Sequence, residues 1–286
     1  MPGKKLKQKS RCKEVRIMSL RSVKKHLSIY LSFFKLYMKS RLIYRTDFVL
    51  GALSQTVNLI FSIAFLTLIF TQVESLQGWS FNEMLLLAGI GGLILNIHHI
   101  FFFKLYSLGD DYIVSGRFDR ILVRPLNPLF QVYASYVSDD NISKVLTNIA
   151  VIAYAVSQIG THLITPINLV YGVLAVLNGV MVLGAIFVTL STTAFWTGRS
   201  KAVFWLFFRI SDFRKYPLNI YSGSIQLMLV TIIPIAFASF FPTTFILGRE
   251  DWRFWQMLTL VIGPVFYFLG YQFWKIGVSN YSSTGS

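Results

Sequence analysis

The chain is expected to be an all-α membrane protein with six transmembrane helices and an amphipathic helix lying at the interface before the first span. Three observations predict this. Hydrophobic residues make up 54% of the 286 positions and charged residues only 14%. The mean hydropathy is +0.58, more apolar surface than a soluble domain can hide. The Lys and Arg residues are distributed by side rather than evenly. The formal net charge is +15, and fourteen of the 27 Lys and Arg precede Phe48. That placement reads as an inner-leaflet anchor and topology signal rather than a nucleic-acid surface.

The elements follow in order. Residues 1–15 are polar and basic. No short apolar core with a cleavage site follows them, so no signal peptide is expected. From Ile17 to Tyr44, Leu20, Val23, Leu27, Leu31, Phe34 and Met38 fall on one helical face. Arg21, Lys25, Lys35 and Lys39 fall on the other, with Ser28 and Ser32. Such a helix lies in the headgroup plane with its basic face toward anionic membrane lipids. The alternative is a soluble helix packed on a partner.

Spans are predicted at Phe48–Phe70, Met84–Phe103, Val145–Ile159, Ile167–Phe195 and Phe254–Ile276. At about 1.5 Å per residue each can cross roughly 30 Å of hydrocarbon, the third only with extension at its ends. The stretch 197–253 admits two readings. Hydropathy selects Ile225–Leu247 as the fifth span. Pro234 and Pro242 divide that run into short pieces, which favours a broken or re-entrant hairpin. The fifth span is then Ser200–Pro217, which carries Arg209, Asp212, Arg214 and Lys215. Arg209, Asp212 and Lys215, spaced i, i+3, i+6, can share a helix face. Inside a membrane they are a functional-site candidate; in the cytoplasm they are merely solvated.

Either path puts both termini on the basic, cytoplasmic side and only Arg249 and Arg253 outside. Trp79, Trp252 and Trp255 would mark the outer interface, Trp196 and Trp274 the inner one. The outer connections, Thr71–Glu83 and Gly160–Pro166, are short.

The internal loop Lys104–Lys144 is the most elaborate polar segment. Its core, GRFDRILVRPLNPLF from Gly116 to Phe130, holds Arg117, Asp119, Arg120 and Arg124 beside the apolar Phe118, Ile121 and Leu122. A short helix stopped by Pro125 and Pro128 is expected there. Such a helix can seat in a soluble partner and hand on rigid-body motion; the plain alternative is a solvated loop.

Chemistry has little to stand on. Cys12 is the lone cysteine, so neither a disulfide framework nor a thiolate metal cluster is expected. His98 and His99 point about 100° apart on a helix and cannot both address one metal, so packed histidines are expected and no metal site. No phosphate-binding G-x-x-x-x-G-K-[ST] run occurs, so ATP dependence would come from a separate polypeptide. Ala88 with Gly92 and Ala175 with Gly179 have small-xxx-small spacing, with Gly89, Gly91, Asn96, Asn178 and Gly184 nearby. Close packing within the subunit is the plain reading, and a subunit interface or path wall the sharper one.

At this point a resemblance can be stated. GRFDRILVRPLNPLFQV resembles the internal-loop signature of ABC-2 family transporter membrane subunits, in the six-span branch of about 260 residues. KLYMKSRLIYRTDFVLG, with Tyr44, Arg45 and Asp47, resembles the start of its first span. GWSFNEMLLLAG resembles its junction into the second span. The region from Tyr216–Pro217 to Gly248 resembles its proline-marked stretch before the last. Arg117 departs from the pattern, where an acidic residue is common.

The resemblance implies a coupling helix that addresses the ATPase through Arg117, Phe118, Asp119, Arg120, Leu122, Arg124, Pro125 and Asn127. It implies a connecting helix at the inner interface and a re-entrant outer hairpin at 218–250. It implies pairing with an identical or related membrane subunit and two copies of an ABC ATPase, which would hold ATP and Mg. This chain would then carry no cofactor and no catalysis, and would serve as the permease of an exporter in a bacterial plasma (inner) membrane. A membrane-embedded lipid-modifying enzyme and a sensor or immunity-type membrane protein are the alternatives. Boundaries are expected at 1–47 for the tail and connecting helix and 48–286 for the transmembrane domain.

Overall fold

The computed structural model describes residues 45–138 and 140–283. The predicted interfacial helix with Arg21, Lys25, Lys35 and Lys39, and the lone Cys12, lie outside those residues. The described chain is all-α. The long helices are α1 (Arg45–Phe70), α2 (Phe81–Phe102), α5 (Asp140–Ile159), α6 (Pro166–Thr192) and α11 (Arg253–Asn280). Between them lie the short helices α3 (Phe118–Leu122), α4 (Pro128–Ala134), α7 (Ala194–Thr197), α8 (Lys201–Ser211), α9 (Gly223–Leu227) and α10 (Phe240–Ile246). Four stretches among the described residues are long and apolar enough to cross a membrane: Phe81–Ser107, Asp140–Ile159, Pro166–Thr197 and Glu250–Asn280. α1, with 26 residues, has the length as well. Large apolar side chains stay exposed along α1, α6 and α11, among them Phe61, Val173 and Phe268. This is the surface expected where lipid is the solvent.

Helix starts follow local chemistry. Ser80 and Glu83 form a capping box at α2: the Glu83 amide donates to Ser80 Oγ, and the Ser80 amide donates to Glu83 Oε2 at 2.8 Å. Thr165 caps α6 with Pro166 in its first turn. Glycine then sets how closely helices approach. α2 packs on α5, where a Cβ at Gly89 would come within 2.8 Å of Ile152. α6 packs on α11 through Gly263, Gly270 and Gly277; a Cβ there would meet Asn178 O at 2.7 Å, Ala185 O at 3.1 Å and Thr192 Cγ2 at 2.5 Å. Seven-residue spacing keeps those three glycines on one seam. The small residues singled out in α2 and α6 therefore serve packing within the chain.

The ambiguous stretch resolves into a path with clear neighbours. α8 begins near the loop end of the bundle, where Lys201 pairs with Asp110 at 2.7 Å. Residues 212–215 continue as a 3-10 turn. There Arg214 Nε donates to Gly91 O, near the middle of the 22-residue α2. Asn219 then donates to Gln77 O, just before α2 begins. Residues 201–219 thus run alongside α2 from its C-terminal end to its N-terminal end.

Residues 223–246 turn back inward, so a straight span over Ile225–Leu247 does not form. The segment is α9, a π-helical turn at Met228–Ile232, a 3-10 turn at Ile235–Ala238, and α10. Its breaks fall at Ile233–Pro234 and at Ser239, which has φ −150° and ψ −63°. Pro242 does not break the chain. It sits in the first turn of α10, where its missing N–H costs nothing. The tip of this hairpin is buried from Ile235 to Thr244. A Cβ at Gly91 would come within 2.9 Å of Ser239 Cβ, and one at Gly179 within 3.4 Å of Ala238 Cα. Both glycines lie mid-helix, so the tip reaches the middle of the bundle. The hairpin returns to the α2 start, where Arg249 stacks over Trp79 at 4.1 Å, pairs with Glu83 at 3.0 Å and donates to Gly78 O.

The aromatic-belt expectation fails for two tryptophans. Trp79 and Trp274 are 0% and 2% exposed, because the Phe240–Arg249 and Phe118–Phe195 groups enclose them.

The seam yields the first prediction. Gly270→Val forces α6 and α11 apart and should cost about 1–3 kcal/mol, lowering both monodisperse yield and melting temperature in detergent. Gly172→Ala, with nothing within 4 Å of the added Cβ, should lower neither, since alanine favours the helix.

Candidate functional site

The internal loop is folded over its described residues, and its local sequence explains how. α2 runs on as a 3-10 turn, Phe103–Ser107, and a π-helical turn, Gly109–Val114. Asp111 anchors the junction by accepting from Lys104 Nζ at 2.6 Å and Ser107 Oγ at 2.7 Å. Burial pushes the Asp111 carboxyl up. The hydrogen bonds from Lys104 and Ser107, with the charges of Lys104 and Arg117, outweigh it and hold it below its ordinary 3.8.

Gly116 has φ +66° and turns the chain into α3. α3 ends at Leu122, before Pro125. Pro128 does not stop it; Pro128 opens α4, which Asn127 caps by accepting from the Leu129 and Phe130 amides. Gln131, 9% exposed, ties the two short helices together by donating to Ile121 O and Leu126 O, both at 3.0 Å.

The eight predicted loop residues divide between two faces. Arg117, Arg120, Arg124, Pro125 and Asn127 are exposed, with Val123 among them at 82%. Arg117 lies 6.0 Å from the Tyr112 ring centre and donates to Ser115 Oγ. Phe118 is fully buried, Leu122 half-buried, and Asp119 half-buried. The exposed face of α3 is therefore basic and the inner face aromatic.

What the inner face touches was not foreseen. Phe118 packs edge-on against Phe195 at 5.2 Å, Trp274 at 6.2 Å and Tyr281 at 5.0 Å. Asp119 accepts from Ser283 Oγ at 2.6 Å. Asn127 Nδ2 donates to Tyr271 OH at 2.7 Å, and Tyr133 OH lies 3.3 Å from Tyr267 OH. Four loop side chains thus bind the segment between α2 and α5 to the last helix and the residues after it. A signal was present: Tyr267, Tyr271 and Trp274 recur at helical spacing on one face of α11, with Tyr281 just past its end.

The charged residues at the end of α8 and in the turn after it divide between surface and interior. Arg209, Asp212 and Lys215 are all exposed. Arg209 stacks on Trp205 at 5.0 Å, and Asp212 pairs with Lys215 at 2.7 Å. Arg214 is the one that turns inward, toward Gly91 O and Ser211 O. Its neighbours three and four residues away are not acidic, which separates it from the Asp212 face in the sequence itself.

His98 is buried between Phe102 and Phe187, with ring centroids at 5.3 and 4.3 Å. Among the described residues no three His, Cys, Asp or Glu side chains gather as a metal site.

An apolar helical bundle with long lipid-facing helices and a folded polar loop at one end defines an integral membrane protein. Residues 56–285 match the family described as ABC-2 family transporter protein. The chain belongs to that family and is a membrane transporter subunit. Members of the family are generally non-catalytic transmembrane subunits that work with ABC ATPases. No curated protein and no solved structure matches the chain.

Two predictions follow from the loop. Phe118→Ala opens a hole among three aromatic rings and should cost about 3–5 kcal/mol, read as a melting point several degrees lower; Arg120→Ala should leave the melting point in place. The Asp111 anchor should fail on acidification. Because its folded value lies below 3.8, its contribution is fully present above that value and lost as pH falls through the folded one. Replacing Lys104 with Met should remove that acid-sensitive increment from a pH series of melting curves.

Proposed function

We propose that this chain is the permease of an ATP-driven exporter, forming the substrate path and coupling through the 104–144 loop to a separate ABC ATPase. The observation that carries the reading is the two-faced α3. Its exposed face presents Arg117, Arg120 and Arg124, while its inner face packs on Trp274 of the last helix through Phe118 and bonds Ser283, just beyond that helix, through Asp119. A partner that moves the exposed face moves α11 with it. Rigid attachment of this kind is what a coupling element needs, since a loosely held loop would absorb the displacement.

Two ATPase copies binding Mg-ATP serve a pair of membrane subunits, identical or related. The excess of Lys and Arg on the loop side supports a plasma-membrane protein with cytoplasmic termini. The short connections at the opposite end, 71–80 and 160–165, offer little surface for an external binding protein and support export.

Purification of the tagged chain from its native membranes should bring a stoichiometric ABC ATPase, and Arg120→Glu with Arg124→Glu should release it while the chain still elutes as a folded species. A chain that always comes out alone overturns the reading. Sidedness has its own check. Ser222→Cys in a Cys12→Ser background should react with an impermeant thiol reagent on intact cells; labelling only after lysis reverses the orientation.

A further inference from the structure

Arg214 is a cation in the middle of an apolar bundle with no carboxylate paired to it among the described residues. Its nearest acid, Asp212, is held by Lys215 at 2.7 Å. Its own hydrogen bonds go to two backbone carbonyls, Ser211 O at 2.8 Å and Gly91 O at 3.4 Å. Carbonyl dipoles offset part of the charge, not all of it, and guanidinium stays protonated at any physiological pH. An arginine held at this depth calls for a counter-group.

The surroundings show where one fits. Arg214 lines a small cavity of about 10 Å³, room for roughly one water or one oxyanion oxygen. Ser239, 1% exposed, lines it too, and its hydroxyl has no partner. The rest of the wall is apolar or aromatic, with Phe213, Tyr221, Leu229 and Phe240. On the hairpin side the wall includes Ser239, where the backbone leaves the helix, and it adjoins the other break at Ile233–Pro234. Irregular backbone at membrane depth is tolerated where it is enclosed by protein or lines a cavity, and it can widen without breaking a helical ladder.

We propose that Arg214 and Ser239 form a recognition site for the oxyanion head of an amphiphile, a phosphate or carboxylate on an apolar chain. The guanidinium supplies charge-assisted donors and Ser239 a neutral one. The cavity as it stands holds one oxygen of the head; the adjoining chain enters only when the hairpin breaks open, and the apolar wall then disfavours a free, fully hydrated anion. Assigning this amphiphile as the cargo rests on the exporter reading. The binding does not, and it is measured without the ATPase.

The test is native mass spectrometry of the full chain in neutral detergent, titrated with phosphatidylglycerol, with diacylglycerol of the same chains, and with inorganic phosphate. Wild type should retain phosphatidylglycerol at least about tenfold better than Arg214→Gln. Arg209→Gln, which removes a nearby exposed cation and leaves the Asp212–Lys215 pair intact, should bind as wild type does. Diacylglycerol should not distinguish the variants, and phosphate should not compete. Equal retention by wild type and Arg214→Gln overturns the site, and competition by inorganic phosphate overturns its assignment to an amphiphile. Should Arg214→Gln not fold, Ser239→Ala keeps the charge and should lose about fivefold. Full retention in both Ser239→Ala and Arg214→Lys overturns the proposal equally.

Discussion

A stretch of backbone that leaves the helix at mid-bundle must be shut inside protein, and most of this structure answers to that constraint. Between Met228 and Phe240 the chain passes through a π-helical turn, a proline break, a 3-10 turn and the irregular Ser239. In hydrocarbon the freed N–H and C=O groups would each cost several kcal/mol, roughly the penalty for an unpaired polar group. The turn meets this partly within itself, as Ile233 donates to Met228 O and Ser239 to Ala236 O. The remainder is enclosure. α2 and α6 can close around the tip because Gly91 and Gly179 offer no Cβ where Ser239 and Ala238 arrive. Arg249 on Trp79 and Glu83 then fastens the returning end to the start of α2.

The same economy of side chains operates at the loop end with opposite chemistry. There the contacts are large and aromatic. Phe118, Phe195, Trp274 and Tyr281 meet edge to face within 5.0–6.2 Å. Small residues let helices meet in the middle, and rings fill the space where short helices diverge at the end. Polar side chains within helices satisfy themselves locally: Asn96, Asn148 and Asn178 each donate to the carbonyl four residues back.

Much of this was legible in the sequence, for identifiable reasons. Long apolar runs placed α2, α5, α6 and α11 within a few residues, because length and hydropathy are one-dimensional properties. The proline argument favoured a broken hairpin over a straight span at 225–247 without deciding between them, and the second break came at Ser239 rather than Pro242. Proline's effect depends on its position in the turn, which the neighbours decide. Arg209, Asp212 and Lys215 are exposed, and Arg214 among them turns inward. Periodicity gives a face but not the direction in which that face points. Trp79 and Trp274 look like interfacial residues until long-range partners enclose them. The tail contacts of Asp119 and Phe118 link residues more than 160 positions apart, beyond any local pattern.

The two ends are joined by how the long helices pair. α2 packs with α5, and α6 with α11 along the glycine seam. The loop leaves the first pair and is bonded to the second, at Tyr267, Tyr271, Trp274 and Ser283. At mid-bundle, Arg214 and Ser239 both lie against α2 at Gly91, while Ala238, beside Ser239, rests on α6 at Gly179. The hairpin tip is therefore wedged between the two pairs, with Ser239 on the first and Ala238 on the second. Tightly packed pairs move as units rather than deform, so a shift of one pair against the other would bear first on the hairpin tip that separates them.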